Sequence, residues 1–375
     1  MQLGFDITSL LYARGVSRYT SNLLRALAKQ PGVSLNLYGS SFRRKAELQS
    51  LIKNLKIPSA NLSLQSYPIR VLSKLWSAGL NPVKPRLPKI DIFHAWDWHF
   101  PPDQDVPLVT TIHDLAMLRL PKIAHPTILK RHQVAWEKLQ NNQSHIIAVS
   151  QTTKKDIVEL LGIPPKRVHV VYEALPQEVV VVGNTLTDES TTQELHHLGI
   201  TKPFFLFVGT TEPRKNLKRL IQAWQPFSQE YELVVAGSTG WDESLENLEG
   251  TQPIVLGPVS DQTLAALYSR AKMFLFPSLY EGFGLPILEA FHFGTPVLTS
   301  NNSGMAEVAG NAAMLVDPLE VESIQNGITE LLNENTAAEK LRDQRMVLRL
   351  QLFGWEQAAQ QSVAVYQDTI RDWQS

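Results

Sequence analysis

Two carboxylates, Glu281 and Glu289, lie around a glycine-bearing loop in the run Pro277-Ser-Leu-Tyr-Glu-Gly-Phe-Gly-Leu-Pro-Ile-Leu-Glu289. Pro286 suits the first position of a helix, where its missing N–H costs nothing. Gly282 and Gly284 let the chain bend and let a ligand come close to the backbone. The unpaired amides and positive dipole end of such a helix can hold an anion such as a diphosphate. Carboxylates beside an anion site make sense if the ligand also carries hydroxyls. A nucleotide sugar has both groups. A second motif, Gly209-Thr-Thr-Glu-Pro-Arg-Lys-Asn216, follows an apolar run at 204–208. There Arg214 can grip two phosphate oxygens in a fork while Lys215 adds a mobile point charge. A basic pair that only solvates a loop is the plainer alternative; the acids later in the same half favour phosphate. His113, in Thr111-Ile-His-Asp114, ends another apolar run. Asp114 reads more readily as a helix N-cap than as a catalytic acid.

These residues need a scaffold, and the pattern supplies one. Short apolar runs alternate with helical patterns in both halves, which predicts parallel α/β sheets. Strands are expected at 3–7, 35–38, 90–94, 108–113, 145–149 and 168–172, with helices at 16–29 and 151–161. The polar stretch 176–197 reads as an irregular linker. A second series has strands at 204–208, 233–236, 254–256, 273–276 and 297–299. Helices are expected at 217–224, 261–269 and 286–291, and from 324 and 337. Trp355, Ala359, Val363, Tyr366 and Ile370 recur at helical spacing, predicting a terminal helix over 355–373. In open sheets of this kind ligands sit at the carboxyl ends of strands, which directs the search to a cleft between two domains.

A length of 375 residues favours two domains. With no cysteine the chain has neither disulfides nor thiolate metal sites. The N-terminus lacks a signal-peptide pattern and no apolar run reaches membrane-spanning length, so a cytoplasmic protein is expected. The net charge of −1 conceals a basic segment, 41–90, with ten Lys or Arg against the single acid Glu47. It reads either as a solvated face or, through Val71, Leu72, Leu75, Trp76 and Leu80, as a helix resting peripherally on an anionic membrane. No nucleic-acid-binding motif accompanies the charge. Asp103-Gln-Asp105 has an Asp-x-Asp pattern, but three residues between prolines do not make a metal site.

Gly-Thr-x-Glu-Pro-Arg-Lys-Asn followed by Glu-Gly-Phe-Gly-Leu-Pro-x-x-Glu resembles the family 4 retaining glycosyltransferases of GT-B fold, in their mannosyltransferase-like branch. Ile147-Ala-Val-Ser150, Thr153-Lys-Lys-Asp156, the run from Leu161 to Tyr172, and Phe353-Gly-Trp355 match in the same order. The resemblance implies two Rossmann-like domains facing across a cleft. The N-terminal acceptor-side domain would span 1–180 and be completed by 355–375, with the donor-side domain at 181–354. It also implies roles. Arg214 and Lys215 would bind the donor diphosphate, Glu289 the ribose, and Glu281 the sugar hydroxyls. The backbone of Phe283, Gly284 and Leu285 would lie beside sugar and phosphate, and His113 near the reacting centre. Gly15, in Arg14-Gly-Val-Ser-Arg-Tyr19, belongs to a loop near the phosphates, although Arg14 and Ser17 stand where family members often have glycine. Thr210 replaces an additional Arg found in some members. Trp96 and Trp98, in His94-Ala-Trp-Asp-Trp-His, either stack on an acceptor sugar or fill the core.

The implied reaction moves a hexose, with mannose from GDP-mannose as first choice, to a saccharide or lipid-linked acceptor, with retention and no metal. A retaining glycosidase would need two carboxyls flanking the bond; here both are engaged with the donor. A nucleotide-sugar epimerase of the same fold and a catalytically silent nucleotide-sugar binder are the rival readings.

Overall fold

The computed structural model describes residues 1–12, 14–57, 61–242 and 250–375, with positions 14 and 131 described by backbone only. The chain forms two compact units. Unit 1 comprises Met1–Arg119, Ala124–Glu173 and Gly354–Ser375; unit 2 comprises Leu120–Ile123 and Ala174–Phe353. The main divide thus falls after Glu173, a few residues before the boundary expected at 180.

Unit 1 holds strands β1 (Gln2–Asp6), β2 (Ser34–Ser40), β3 (Asn61–Gln65), β4 (Ile92–Ala95), β5 (Leu108–Ile112), β6 (His145–Ala148) and β7 (Val168–Val170). They pair in parallel in the order β3-β2-β1-β4-β5-β6-β7. Unit 2 holds β8 (Phe204–Val208), β9 (Glu232–Ala236), β10 (Ile254–Gly257), β11 (Met273–Phe276), β12 (Val297–Ser300) and β13 (Met314–Val316). Its parallel order is β10-β9-β8-β11-β12-β13. Both sheets reverse their winding beside the first strand, between β1 and β4 and between β8 and β11. A doubly wound sheet leaves its ligand crevice at that reversal.

Continuous apolar strands suit sheets covered on both faces. Phe205, Leu206 and Phe207 of β8 are fully buried. The helix Leu217–Trp224 turns Leu217, Leu220, Ile221 and Trp224 onto the sheet, the spacing of one helical stripe. The terminal helix Trp355–Gln374 belongs to unit 1, where it packs on the helix Arg14–Leu27. There the Tyr366 hydroxyl and the His94 ring share a buried hydrogen bond of 2.7 Å.

Two expectations need correction. The stretch 176–197 is not an irregular linker: it forms helices Gln177–Gly183 and Asp188–His197. Thr187 and Ser190 close a reciprocal capping box at the second. Polar composition concealed the second, because little of it is buried and its support comes from the helix Asp261–Arg270, through Glu194 to Thr263 at 2.5 Å and Asp188 to Arg270 at 2.6 Å. Nor does Trp76 face outward on the basic segment. Trp76 and Leu72 lie in the unit 1 core, and the Trp76 indole N–H donates to the Asn81 carbonyl at 2.9 Å. Among the described residues no helix is long and apolar enough to cross a membrane.

Candidate active site

The two motifs singled out in unit 2 follow the two strands that flank its winding reversal. After β8 the chain runs through Gly209–Asn216; after β11 it runs through Pro277–Gly284. Asn216, in the left-handed region at φ 62°, donates its amide to the carbonyls of Pro277 at 3.0 Å and Pro318 at 2.6 Å. The Leu279 N–H donates to the Arg214 carbonyl at 2.8 Å. These bonds stitch the loops together and fix the side chains between them.

Arg214 donates to Glu281 at 2.5 Å, to the Tyr280 carbonyl at 2.9 Å and to Glu212 at 2.5 Å. The Lys215 ammonium donates to the other Glu281 oxygen at 2.7 Å and lies 5.0 Å from the Phe276 ring centre. Glu281 therefore bridges both cations, and Glu212 completes a cluster of two formal positive and two formal negative charges. Burial alone would raise the Glu281 pKa, but the charges and hydrogen bonds of Arg214 and Lys215 outweigh it and hold the carboxyl at about 2. The resemblance had cast Glu281 as a ligand for sugar hydroxyls. The structure adds that it is the counter-ion of Arg214 and Lys215.

Below this cluster the loop is pressed against neighbouring backbone. A Cβ on Gly304 would lie 2.1 Å from the Gly282 carbonyl oxygen, and the Gly304 N–H donates to the Glu281 carbonyl at 2.9 Å. Gly284 sits at φ 121°, where a side chain would be strained. The helix Leu285–His292 starts there with Pro286 in its first turn and no side chain capping it. The Phe283 ring packs edge-on against Phe353 at 5.6 Å. Glu289 is buried on the helix and accepts a hydrogen bond from the Tyr268 hydroxyl at 3.1 Å. Arg214, Lys215 and Glu281 are thus in mutual contact, Phe283–Leu285 continue the same loop, and Glu289 is set further along the helix.

In unit 1, His113 follows β5, and its Nδ1 lies 2.8 Å from Glu173. Burial pushes the His113 pKa down, but the bond and charge of Glu173, with Asp97 and Asp114, prevail and raise it. Tyr19 presents its ring edge-on to His113 at 4.8 Å, and its hydroxyl reaches Thr111 at 2.9 Å. Asp114 accepts from the Ala116 N–H at 2.9 Å where the helix Ala116–Arg119 begins, the capping geometry expected of it. Gly15 is exposed near the start of the helix Arg14–Leu27, and a Cβ there would meet nothing within 4 Å. The chain's own packing does not require glycine at that position. The Arg14 side chain lies outside the described residues. Trp96 is buried against Tyr12 and Trp98, whereas Trp98 is partly exposed. Asp103 spends both carboxylate oxygens on the backbone N–H groups of Val83 at 2.8 Å and Lys84 at 2.7 Å. Among the described residues no three His, Asp or Glu side chains cluster as metal ligands.

Glu173, Glu212 and Ser303 were not identified as site residues beforehand. Glu212 lies inside the Glu-Pro-Arg-Lys-Asn motif, and its charge beside Arg214 was a usable signal. The Ser303 hydroxyl accepts from the Glu281 N–H at 3.2 Å, a contact across 22 residues with no local mark in the sequence.

Comparison with known proteins gives the family and the fold. Residues 13–178 match the family model "Glycosyltransferase Family 4" and residues 188–345 match "Glycosyl transferases group 1". The chain is 31% identical over 286 residues to O-antigen chain mannosyltransferase B of Escherichia coli, covering 73% of this chain and 74% of that one. It is 30% identical over 227 residues to the serotype-specific mannosyltransferase WbdA of the same species, covering 57% of this chain but only 27% of that longer protein. The crystal structure of Anabaena HepE in complex with UDP-glucose superposes with a TM-score of 0.71 at 17% identity, covering 99% of this chain and 100% of that one. With these neighbours the two Rossmann-like units are the GT-B fold.

Proposed function

The chain belongs to glycosyltransferase family 4, and from that premise we propose that it transfers mannose from GDP-mannose to a saccharide or lipid-linked acceptor, with retention at the anomeric carbon and without a metal. It is a hexosyltransferase of glycan biosynthesis. The observation that carries the finer reading is the Arg214–Glu281–Lys215 bridge at the winding reversal of unit 2. Two cations fixed at a strand-to-helix turn suit the donor diphosphate, and the uncapped start of the helix Leu285–His292 adds a positive dipole end.

In this reading the diphosphate takes over hydrogen bonds that Glu281 makes to Arg214 and Lys215, and Glu281 then has acceptor capacity for sugar hydroxyls. Glu289, steadied by Tyr268, receives the ribose. As the bond from the anomeric carbon to phosphate breaks, negative charge grows on the departing diphosphate. Arg214 and Lys215 stabilise it there, already oriented by Glu212, Glu281 and Phe276. The acceptor hydroxyl attacks from the same face, and its proton passes to the departing phosphate. His113, kept charged over a wider pH range by Glu173, is the unit 1 group assigned to the reacting centre. Support for mannose comes from relatives named as mannosyltransferases.

A panel of nucleotide sugars, scored by thermal shift and released nucleotide, tests the reading. GDP release from GDP-mannose above that from UDP-glucose is expected. An epimerised nucleotide sugar with no release would establish the isomerase instead, and binding with no turnover in the presence of acceptors would favour the silent binder.

A further inference from the structure

Unit 1 carries a cavity of about 640 Å³ that none of the assigned donor residues lines. The helix Ile69–Ser77 contributes Lys74 and Trp76, and the turn beyond β4 contributes Trp98 and Phe100. The helix Pro126–Asn141 contributes Lys130, Val134 and Lys138. Their four-residue spacing makes one stripe on that helix, with an apolar residue between two cations. Trp76 and Phe100 are buried at the base, while Val134 is 47% exposed.

The charges do not balance. Three lysines line the cavity and no Asp or Glu does. Among the described residues none of the three is in an ion pair, although Lys155, Arg119 and Arg270 of this chain all find carboxylates. Lys138 is half-buried, and burial alone holds its pKa below the usual lysine value, with no neighbouring carboxylate to reverse the effect. A partly desolvated cation without a counter-ion is costly to keep, so the missing partner is an anion. The base of the cavity carries the rings of Trp76, Trp98, His99 and Phe100, so an anion alone would leave it unfilled.

We propose that this cavity binds a single-chain amphiphile with a phosphate head, its chain against Trp76, Trp98 and Phe100 and its phosphate among Lys74, Lys130 and Lys138. Phosphate fits the lysines because its several oxygens can be shared among separate point charges. A neutral lipid would leave the lysines unmatched, and inorganic phosphate would leave the aromatic base empty. The site stands independently of the donor assignment, because no residue is common to both.

The probe is dodecyl phosphate, titrated below its micelle concentration into the full chain and followed by calorimetry and tryptophan fluorescence. Saturable binding at one site is expected, weakened about tenfold or more in the variant carrying Lys130→Gln and Lys138→Gln and weakened by added salt. Equal binding of inorganic phosphate, equal binding of dodecyl maltoside, indifference to the lysine changes, or no binding would each overturn the proposal. The melting temperature of the variant and its thermal shift with GDP-mannose, both expected to match wild type, guard against a folding defect. Failure of the nucleotide-sugar panel in wild type would sink the donor reading and leave this one untouched.

Discussion

Replacing Glu281 with Gln keeps the side chain's shape and removes its charge from between Arg214 and Lys215. In the folded chain the Glu281 pKa falls from 4.5 to about 2. Lowering a pKa by one corresponds to about 1.36 kcal/mol in favour of the ionised form, so the Glu281 carboxylate contributes on the order of 3 kcal/mol. Glu281 is only 8% exposed, so solvent screens little of this. The sign follows from linkage: a depressed pKa gives stability that is fully present above the unfolded value near 4.5 and is lost as pH falls toward 2. At pH 7, Glu281→Gln should therefore lower the melting temperature by roughly 6–12 °C for a domain of this size. About half the difference should be gone near pH 3, because the unfolded chain's carboxyl has then taken up its proton while the folded one still resists protonation. The freed cations should also bind inorganic pyrophosphate more tightly while turnover falls. Thermal unfolding of both proteins from pH 7 downward is the assay. An equal gap at every pH, or no gap at pH 7, would refute the bridging role, and weaker pyrophosphate binding would refute the idea that Glu281 occupies the phosphate site.

His113 should titrate above an ordinary histidine, and Glu173→Gln should bring its NMR-detected pKa down; an unchanged value would remove Glu173 as the cause. Because that folded pKa is raised, its contribution to stability is complete below the unfolded value, about 6.5, and is lost as pH rises through the folded value. Gly304→Ala, with its Cβ 2.1 Å from the Gly282 carbonyl, should distort the Glu281 loop and reduce both stability and donor-induced thermal shift. Normal values for both would contradict the close packing described. Gly15→Ala should be tolerated or stabilising by up to about 1 kcal/mol in its helix, so a loss of turnover at an unchanged melting temperature would mark a direct role for that backbone in the donor site.

The sheets were legible because parallel strands buried on both faces appear as plain apolar runs, as at Phe204–Val208 and Met273–Phe276. Arg214, Lys215 and Glu281 stood out as candidates for binding phosphate and hydroxyls because their types and the nearby glycines suit that chemistry. Their mutual bridge was not: it spans 67 residues and depends on strand order, which brings the ends of β8 and β11 side by side. Glu173 was hidden for the same reason, since its partner His113 is 60 residues away. The basic segment misled by composition. Trp76 looked like one side of an amphipathic surface helix, yet the side it shares with Leu72 is turned into the core, and burial direction is decided by tertiary packing. The helix Asp188–His197 was missed because polar residues with little burial give weak periodicity, and its Thr187–Ser190 cap lacks the usual Glu or Gln; in Gln177–Gly183 the run Val179–Val182 is β-branched, which disfavours a helix locally.

The most direct measurement compares GDP release from saturating GDP-mannose by wild type and by Lys215→Ala, with the fold of the variant checked by its melting temperature. Loss of a preorganised charge on the leaving diphosphate should cut turnover by about 10²–10³. Turnover near the wild-type rate with donor saturating would contradict the central claim that the cations bridged by Glu281 stabilise the departing phosphate.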